Sequence, residues 1–491
     1  MTKSSSSRMN NLSVWLDERT GIKKALRGVL NQPIRGGARW AYVFGSALLA
    51  LLAIQVLTGI FLALYYVPSA DHAHVTVAYI QKVVPGGSLI RGLHYYGASA
   101  VVILVVCHFA QTFLFGAYKA KRELLWMFGG VLLLLILSFA FSGQLLPWDQ
   151  QAYFSTRVGT SIAGEIPVFG YLQKRIMLGG ADVTSITLTR FFMIHVFILP
   201  LALGFLVFLH VFLFRRAGWA GSFHHPQDGR VEPFYPKQSF MTAVFVLLVF
   251  ASLLVLARLV PATLGPEATP GADVLARPPW YFLPLFEMLK YFPGKLALIP
   301  ALVLPGLLSG GLFLLPFFDR RPERHPLKRR LATATLLVLL LGAGSLIWLA
   351  KHQDRANPEI NAKLVRQENL ARAFLKTDFH PQQIGPARVP NTVGATKVSS
   401  VSADPPQAFT KGCAVCHGDH GEGSDQGPVL VGITSKPNRS REDLLRLLND
   451  PGPFKLKDPM PTSFPDLSAD DKWKIVDWLG KLASQDTAQR R

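Results

Sequence analysis

The sequence predicts an all-α protein in two parts, a polytopic bundle of about seven membrane-spanning helices and a small α-helical domain that follows it. Three observations carry this. Half of the 491 residues are hydrophobic and only 17% are charged, with a mean hydropathy of +0.28, and the apolar residues are gathered into long blocks, the composition of a polytopic membrane protein. Each block reaches the roughly 20 apolar residues that a spanning helix needs. Basic residues collect at every second junction between blocks, and no block follows residue 352.

The blocks lie at about 40–66, 89–115, 125–146, 191–214, 239–260, 296–318 and 331–350. The basic stretches "GAYKAKRE" (116–123), "FRRAGW" (214–219) and "DRRPERHPLKRR" (319–330) follow the second, fourth and sixth. Positive charge is retained on the cytoplasmic side, so these ends and the N-terminus are expected in the cytoplasm and the C-terminal region on the outer side. Retention of basic residues on the cytoplasmic side explains a formal charge of +20 better than nucleic-acid binding does. Residues 1–38 are polar and charged, so no cleavable signal peptide is expected; the seventh span would carry the tail across. The three cysteines, Cys107, Cys413 and Cys416, cannot make a disulfide framework, and Cys107, inside a span, reads as a small buried hydrophobe.

Span two contains His94 and His108, fourteen residues apart, and span four contains His195 and His210, fifteen apart. Either spacing is close to four helical turns, which places each pair near one helix face and about 21–22 Å apart along the axis. Spans two and four run parallel, so His94 should meet His195 near the outer side and His108 should meet His210 near the cytoplasmic side. Ionisable residues are costly in a span; two imidazoles at each of two levels in hydrocarbon suit haem iron. A polar hydrogen bond between helices is the alternative. Gly45 and Gly59 in span one, and Gly129 and Gly143 in span three, repeat the fourteen-residue period. Without Cβ atoms they would let haem edges approach the backbone, although small residues also serve helix packing alone.

With these residues in view, the chain over about 12–350 resembles cytochrome b of the quinol-oxidising cytochrome bc complexes. The resemblance rests on "FGSALLALLAIQVLTGIFLALYY", "LIRGLHYYGAS", "KRELLWMFGG", "LLPWDQQAYFSTRV", "LTRFFMIH" and "RPPWYFLPLFEMLKYFP". The His195–His210 spacing, "KREL" and "LLPWDQ" resemble the chloroplast-type branch, and seven spans look like its four-helix cytochrome and three-helix subunit IV in one chain. The resemblance implies two non-covalent b-type haems, the low-potential one on His94 and His195 and the high-potential one on His108 and His210. It also implies a propionate contact from Arg91 and an outer quinol site lined by Trp280 and Tyr281. Quinol oxidation would send one electron to a Rieske iron-sulfur partner. The other would pass through the b haems to a quinone near the cytoplasmic side, with proton translocation. A homodimer in the bacterial cytoplasmic membrane, drawing on the membrane quinone pool, is implied as well.

Three departures matter. The family's Pro-Glu-Trp-Tyr motif here reads Pro278-Pro279-Trp280-Tyr281, and proline cannot accept a quinol proton. Glu287 is a candidate replacement, its alternative being a solvated or ion-paired carboxylate at a helix end; Glu165 is a weaker one. Motifs lacking the glutamate resemble variants associated with menaquinol. Val43 stands where the chloroplast-type branch has a haem-bearing cysteine, so no further covalent haem is expected in the membrane part. Gln111 stands where the family often has an arginine.

The chain is expected to divide into a four-span domain (1–220), a three-span domain (221–352), a linker (353–407) and a C-terminal domain (408–485). The linker reads as a tether in its second half, while "NPEINAKLVRQENLARAF" reads as a short amphipathic helix. "KGCAVCHGDHGEG" carries the Cys-x-x-Cys-His pattern through which Cys413 and Cys416 would attach a c-type haem, with His417 as axial ligand. Zinc is the alternative, but it would want further thiolate or imidazole ligands. His420 is too close to His417 to reach the opposite haem face. The domain resembles class I cytochrome c, which makes Met460 the sixth ligand and Ile475, Val476, Trp478 and Leu479 the buried face of a terminal helix capped by Ser468. The whole reads as a cytochrome b/c subunit of a quinol:cytochrome c oxidoreductase that delivers electrons to a soluble or oxidase-bound cytochrome. The rivals are a non-bifurcating di-haem relay anchor and a scaffold that displays a cytochrome c.

Overall fold

A computed structural model describes residues 14–119, 121–221, 230–269, 272–379, 405–418, 420–421, 429–435, 439–450 and 467–489. Among them, seven helices are long and apolar enough to cross a membrane: Trp40–Ala63, Gly87–Leu114, Glu123–Gly143, Ser185–Ala217, Phe234–Leu259, Ile299–Phe318 and Arg330–Ala356, here spans one to seven. In hydrocarbon a chain must satisfy its own backbone groups, and a helix does so within one segment. The bundle's outer surface is correspondingly apolar, with Leu57, Phe205, Phe208, Leu247 and Leu337 exposed. Its interior is lined by small and branched residues, among them Ala47, Leu51, Val101, Ile136 and Leu203.

The near end of the bundle, where span one begins, is tied by charge. Lys119 Nζ lies 2.7 Å from Asp319 Oδ1, and Tyr118 donates to Asp319 Oδ2 at 2.5 Å. Arg329 donates to Tyr118 at 2.8 Å and caps span two through the carbonyls of Phe113 and Leu114. Two of the basic residues in the second and sixth junctions are therefore buried structural cations. Nearby, Pro33–Arg35 pairs antiparallel with Val231–Pro233 and ties the approach to span one to the approach to span five.

The far end carries short helices that hydropathy blocks did not predict: Ala73–Lys82 after span one, Gln150–Gly164 and Gly170–Leu178 after span three, and Leu283–Leu289 after span five. Asp149 joins two of these loops. Its Oδ1 accepts from Ala152 N–H at 2.8 Å, capping the helix that begins at Gln150, and its Oδ2 accepts from Gly265 N–H at 2.9 Å.

After span seven, Asn357 caps a 19-residue helix, Pro358–Lys376, with proline in the first turn as helix starts favour. This helix docks on the far end. Lys82 Nζ donates to the Phe374 and Thr377 carbonyls at 2.6 and 2.9 Å, and the Phe374 ring packs 5.1 Å from His74. The first compact unit accordingly runs to His380, so residues 353–379, read as the helical first part of a linker, are packed within it.

In the second unit, residues 381–491, the described helices are Gln407–Gly412, Ala414–His417, Arg441–Asn449 and Ala469–Gln489. Phe409, Leu444, Leu448, Ile475, Val476, Trp478 and Leu479 form its core, with the Phe409 and Trp478 rings 4.6 Å apart. Ser468 accepts from Asp471 N–H at 3.1 Å, the expected cap.

Removing the Asp319 carboxylate would strand two buried cations, a change that costs about 3–5 kcal/mol. Asp319→Ala should therefore lower the thermal midpoint of the detergent-solubilised protein sharply. Burial pushes the Asp319 carboxyl up, but the hydrogen bonds from Lys119 and Tyr118 and the charges of Lys119 and Arg329 outweigh it, and the net shift is downward. A depressed folded pKa contributes stability that is present above the unfolded value, about 3.9, and lost as the pH falls through the folded one. Melting curves of Asp319→Ala should lose that part of the acid dependence.

Candidate functional site

The four intramembrane histidines fall at two levels. The His94 and His195 ring centroids are 6.5 Å apart with planes at 76°, the order of separation that two imidazoles need on opposite sides of one metal ion, roughly 6 Å for metal–nitrogen bonds of about 2 Å. Each ring is oriented through Nδ1. Thr58 Oγ1 lies 3.0 Å from His94 Nδ1 and donates its own proton to the Ile54 carbonyl at 2.7 Å. Ser142 Oγ lies 2.9 Å from His195 Nδ1 and donates to the Ser138 carbonyl at 2.8 Å. Since both hydroxyl protons go to carbonyls, each Nδ1 is the donor and each Nε2 keeps its lone pair for a metal. At the other level, the Nδ1 of His108 is buried without a hydrogen-bond partner among the described residues, while the His210 ring interacts with the Leu125 backbone.

The four glycines face the histidines one to one. A Cβ at Gly59 would stand 3.2 Å from His94 Cε1, one at Gly45 3.3 Å from His108, one at Gly129 3.3 Å from His210, and one at Gly143 2.6 Å from His195. What lies against each bare Cα is an imidazole. Spans one and three run antiparallel to spans two and four, so equal periods bring glycine opposite histidine at both levels.

The unequal histidine spacings are reconciled by a π-turn. Residues Ile194–Ile198 have five-residue helical periodicity, just before Pro200, which supplies no N–H to an α-helical ladder. A π-turn takes up one extra residue. Fifteen residues in span four therefore cover about the rotation that fourteen cover in span two, whereas an unbroken α-helix would set His210 about 100° out of register.

Arg91, buried at the start of span two, donates to Gln81 Oε1 at 2.8 Å, to the Ala262 carbonyl at 2.9 Å and to the Thr263 carbonyl at 2.5 Å. It holds the loop after span five against span two.

A largely apolar cavity of about 180 Å³ lies between the helices Gln150–Gly164 and Leu283–Leu289, walled by Phe141, Gln144, Ser155, Pro278, Phe282 and Phe286 among others. It adjoins the upper histidine level, because Gln144 follows Gly143, which touches His195. Of the predicted motif, Pro278 lines this cavity, whereas Trp280 and Tyr281 pack on the core cluster formed by spans one to four. The Trp280 Nε1 is 3.5 Å from Ser99 Oγ, and burial pushes the Tyr281 hydroxyl up to about 12. Glu287 is fully buried but stands on the opposite face of its helix from Phe282, Phe286 and Leu289. Lys290 Nζ is 2.5 Å from its Oε2, an ion pair without hydrogen-bond alignment, and Tyr291 donates to its Oε1 at 3.1 Å. Glu165 is exposed at the end of its helix. The polar side chains that line the cavity are Gln144 and Ser155. Sequence reasoning missed both, although Ser155 lies in the quoted "LLPWDQQAYFSTRV".

In the second unit, Cys413 and His417 are half-buried around the single turn Ala414–His417. The Cys416 side chain and Met460 lie outside the described residues.

Comparison with known proteins agrees with this arrangement. The Cytochrome b/b6/petB family model matches residues 30–218, the Cytochrome b(C-terminal)/b6/petD model residues 266–365, and the Cytochrome c model residues 403–483. The chain is 38% identical over 221 residues to the menaquinol:cytochrome c reductase cytochrome b subunit of Bacillus subtilis, covering 43% of this chain and 99% of that protein. It is 33% identical over 329 residues to the cytochrome bc complex cytochrome b subunit of Chlorobaculum thiosulfatiphilum, covering 65% of this chain and 76% of that one. A solved hyperthermophilic respiratory Complex III chain superposes with a TM-score of 0.62 at 28% identity, covering 74% of this chain and 96% of that chain. Seven spanning helices and these relatives make the protein an integral membrane haem protein. The chain belongs to the cytochrome b family of cytochrome bc complexes and carries a cytochrome c domain at its C-terminal end.

Proposed function

We propose that the chain is the fused cytochrome b/c subunit of a bacterial quinol:cytochrome c oxidoreductase. The observation that carries this reading is an apolar cavity next to the first of two levels at which glycine and histidine meet. Two non-covalent b-type haems are held by His94/His195 and His108/His210 and supply one-electron transfer between the two faces of the membrane. Cys413, Cys416, His417 and Met460 hold a c-type haem. Quinol binds at the far end, on the outer side, where one electron leaves to a Rieske partner and the other enters the b haems. The cytoplasmic-side level serves the second quinone site, and the c domain passes electrons to a soluble or oxidase-bound acceptor.

The B. subtilis relative's name and the missing glutamate at Pro279 both favour menaquinol. Gln144 and Ser155 orient the quinol, and Trp280 and Tyr281 hold the wall behind it. Glu287, paired with Lys290, is better read as an anchor between the Leu283–Leu289 helix and its surroundings than as the group that meets the quinol proton. The N-terminus is placed in the cytoplasm and the complex is a homodimer.

A pyridine haemochrome spectrum of the purified chain should give two b-type haems and one c-type haem; a single b haem would sink the histidine pairing. Gly143→Val should remove about one b haem per chain and leave the c-type signal unchanged, because the added Cβ would meet His195 at 2.6 Å. Gly306→Val, where a Cβ meets nothing within 4 Å, should keep both. Cys413→Ser should abolish haem staining on a denaturing gel while the b-type absorbance stays.

A further inference from the structure

One wall of the cavity has no regular structure. Residues 272–279 form neither helix nor strand, yet Ala276 and Pro278 line the cavity. Irregular backbone at such a place needs outside partners for its polar groups. The partners come from the end of span seven and from the helix Pro358–Lys376. Gln367 grips Leu275 by both backbone groups, its Oε1 accepting from Leu275 N–H at 3.0 Å and its Nε2 donating to the Leu275 carbonyl at 3.3 Å.

Asp354 holds the Arg277 guanidinium with two bonds of 2.9 and 2.8 Å, and both side chains are mostly buried. The grip on Arg277 reaches the cavity in two ways. Its guanidinium sits 5.4 Å above the ring of Phe286, a cavity residue. Its carbonyl accepts from Gln151 Nε2, and the same amide donates to Ser155 Oγ at 2.9 Å. Side chains beyond the sixth span thus set the wall, the aromatic face and one of the two polar groups of the site.

We infer that Gln367 and Asp354 are positioning residues for quinol, and that the helix following span seven is a clamp on the quinol cavity. The inference rests on the quinol reading of that cavity. A two-bond amide grip and a two-bond ion pair each fix this coil segment, alongside the bond from Gln151 to the Arg277 carbonyl. Loosening either moves Ala276 and Pro278, and with them the fit of a flat apolar ligand, while the histidine levels stay intact.

The test uses the full haem-loaded chain in its complex, with Gln367→Ala, Asp354→Asn and Asp354→Glu. Arg372→Ala, which removes an exposed ion pair to Glu368 on the same helix, is the control. The readouts are KM and kcat for a short-chain menaquinol analogue, the Kd of an outer-site quinol-analogue inhibitor, haem content, and hydrogen–deuterium exchange of the peptide spanning 272–279. Gln367→Ala and Asp354→Asn should raise KM and the inhibitor Kd about tenfold, as expected for losing one or two partly buried hydrogen bonds. Exchange at 272–279 should speed up, the haem count should stay unchanged, and kcat should fall less than kcat/KM. Asp354→Glu and Arg372→Ala should stay near the parent.

Unchanged exchange in both loosened variants overturns the clamp. Faster exchange with KM and Kd within twofold of the parent overturns the positioning role. If the parent complex neither oxidises the quinol nor binds the inhibitor, the proposed function fails. Exchange at 272–279 then decides the clamp by itself.

Discussion

The close approach of glycine to histidine between neighbouring spans is the contact on which the membrane unit depends. At Gly143 the bare Cα leaves so little room that a methyl group would overlap the His195 ring. The other three glycines repeat the arrangement with slightly more space. A ring pressed against backbone on one side and, for His94 and His195, held at Nδ1 by a hydroxyl has little orientational freedom left. That pre-orientation keeps Nε2 available in a medium where an unpaired imidazole would otherwise be costly. The two levels nevertheless differ, because neither ring of the near-end level has a hydroxyl at Nδ1 and His108 has no Nδ1 partner among the described residues. Both far-end rings are held by side-chain hydroxyls, whereas His108 is oriented by packing alone.

The far end of the bundle solves a different problem. Several loops there carry irregular backbone close to apolar side chains, and each is stitched by a side chain from elsewhere: Asp149 to Gly265, Arg91 to Ala262 and Thr263, Gln367 to Leu275. These bonds satisfy polar groups that neither lipid nor a helix could satisfy. They also fix the shape of a cavity that no single element encloses. The near end uses buried charge for the same purpose, with Asp319 shared among Tyr118, Lys119 and Arg329.

Much of this was legible along the chain because membrane helices announce themselves by length and apolarity, and because ligand spacing on a helix is a one-dimensional quantity. The seven spans, both histidine pairs, the glycine periods, the Cys-x-x-Cys-His pattern and the Ser468 cap all depend on residues close in sequence or on a period. The same logic gives no direction. Trp280, Tyr281 and Glu287 neighbour Pro278 in sequence, yet a short helix and its approach turn them away from the cavity that Pro278 lines. The glycine period placed the levels, and the fold adds that a histidine stands opposite each one, since a period tells which residues share a height and not what stands opposite.

By itself, the sequence determined the number of spans, the pairing of histidines by level and the presence of a separate haem-attachment motif, for these follow from helical period and from the price of polar groups in hydrocarbon. Only the tertiary structure decided what each glycine faces, how a π-turn before Pro200 brings a fifteen-residue spacing into line with a fourteen-residue one, and which side chains wall the cavity. Only the fold revealed that the segment read as a short amphipathic helix, Pro358–Lys376, docks on the far end and grips a loop some 90 residues earlier in the chain. The reason is physical. Period and composition act along one helix, whereas a cavity and a clamp are made by residues distant in sequence whose meeting depends on how whole helices pack.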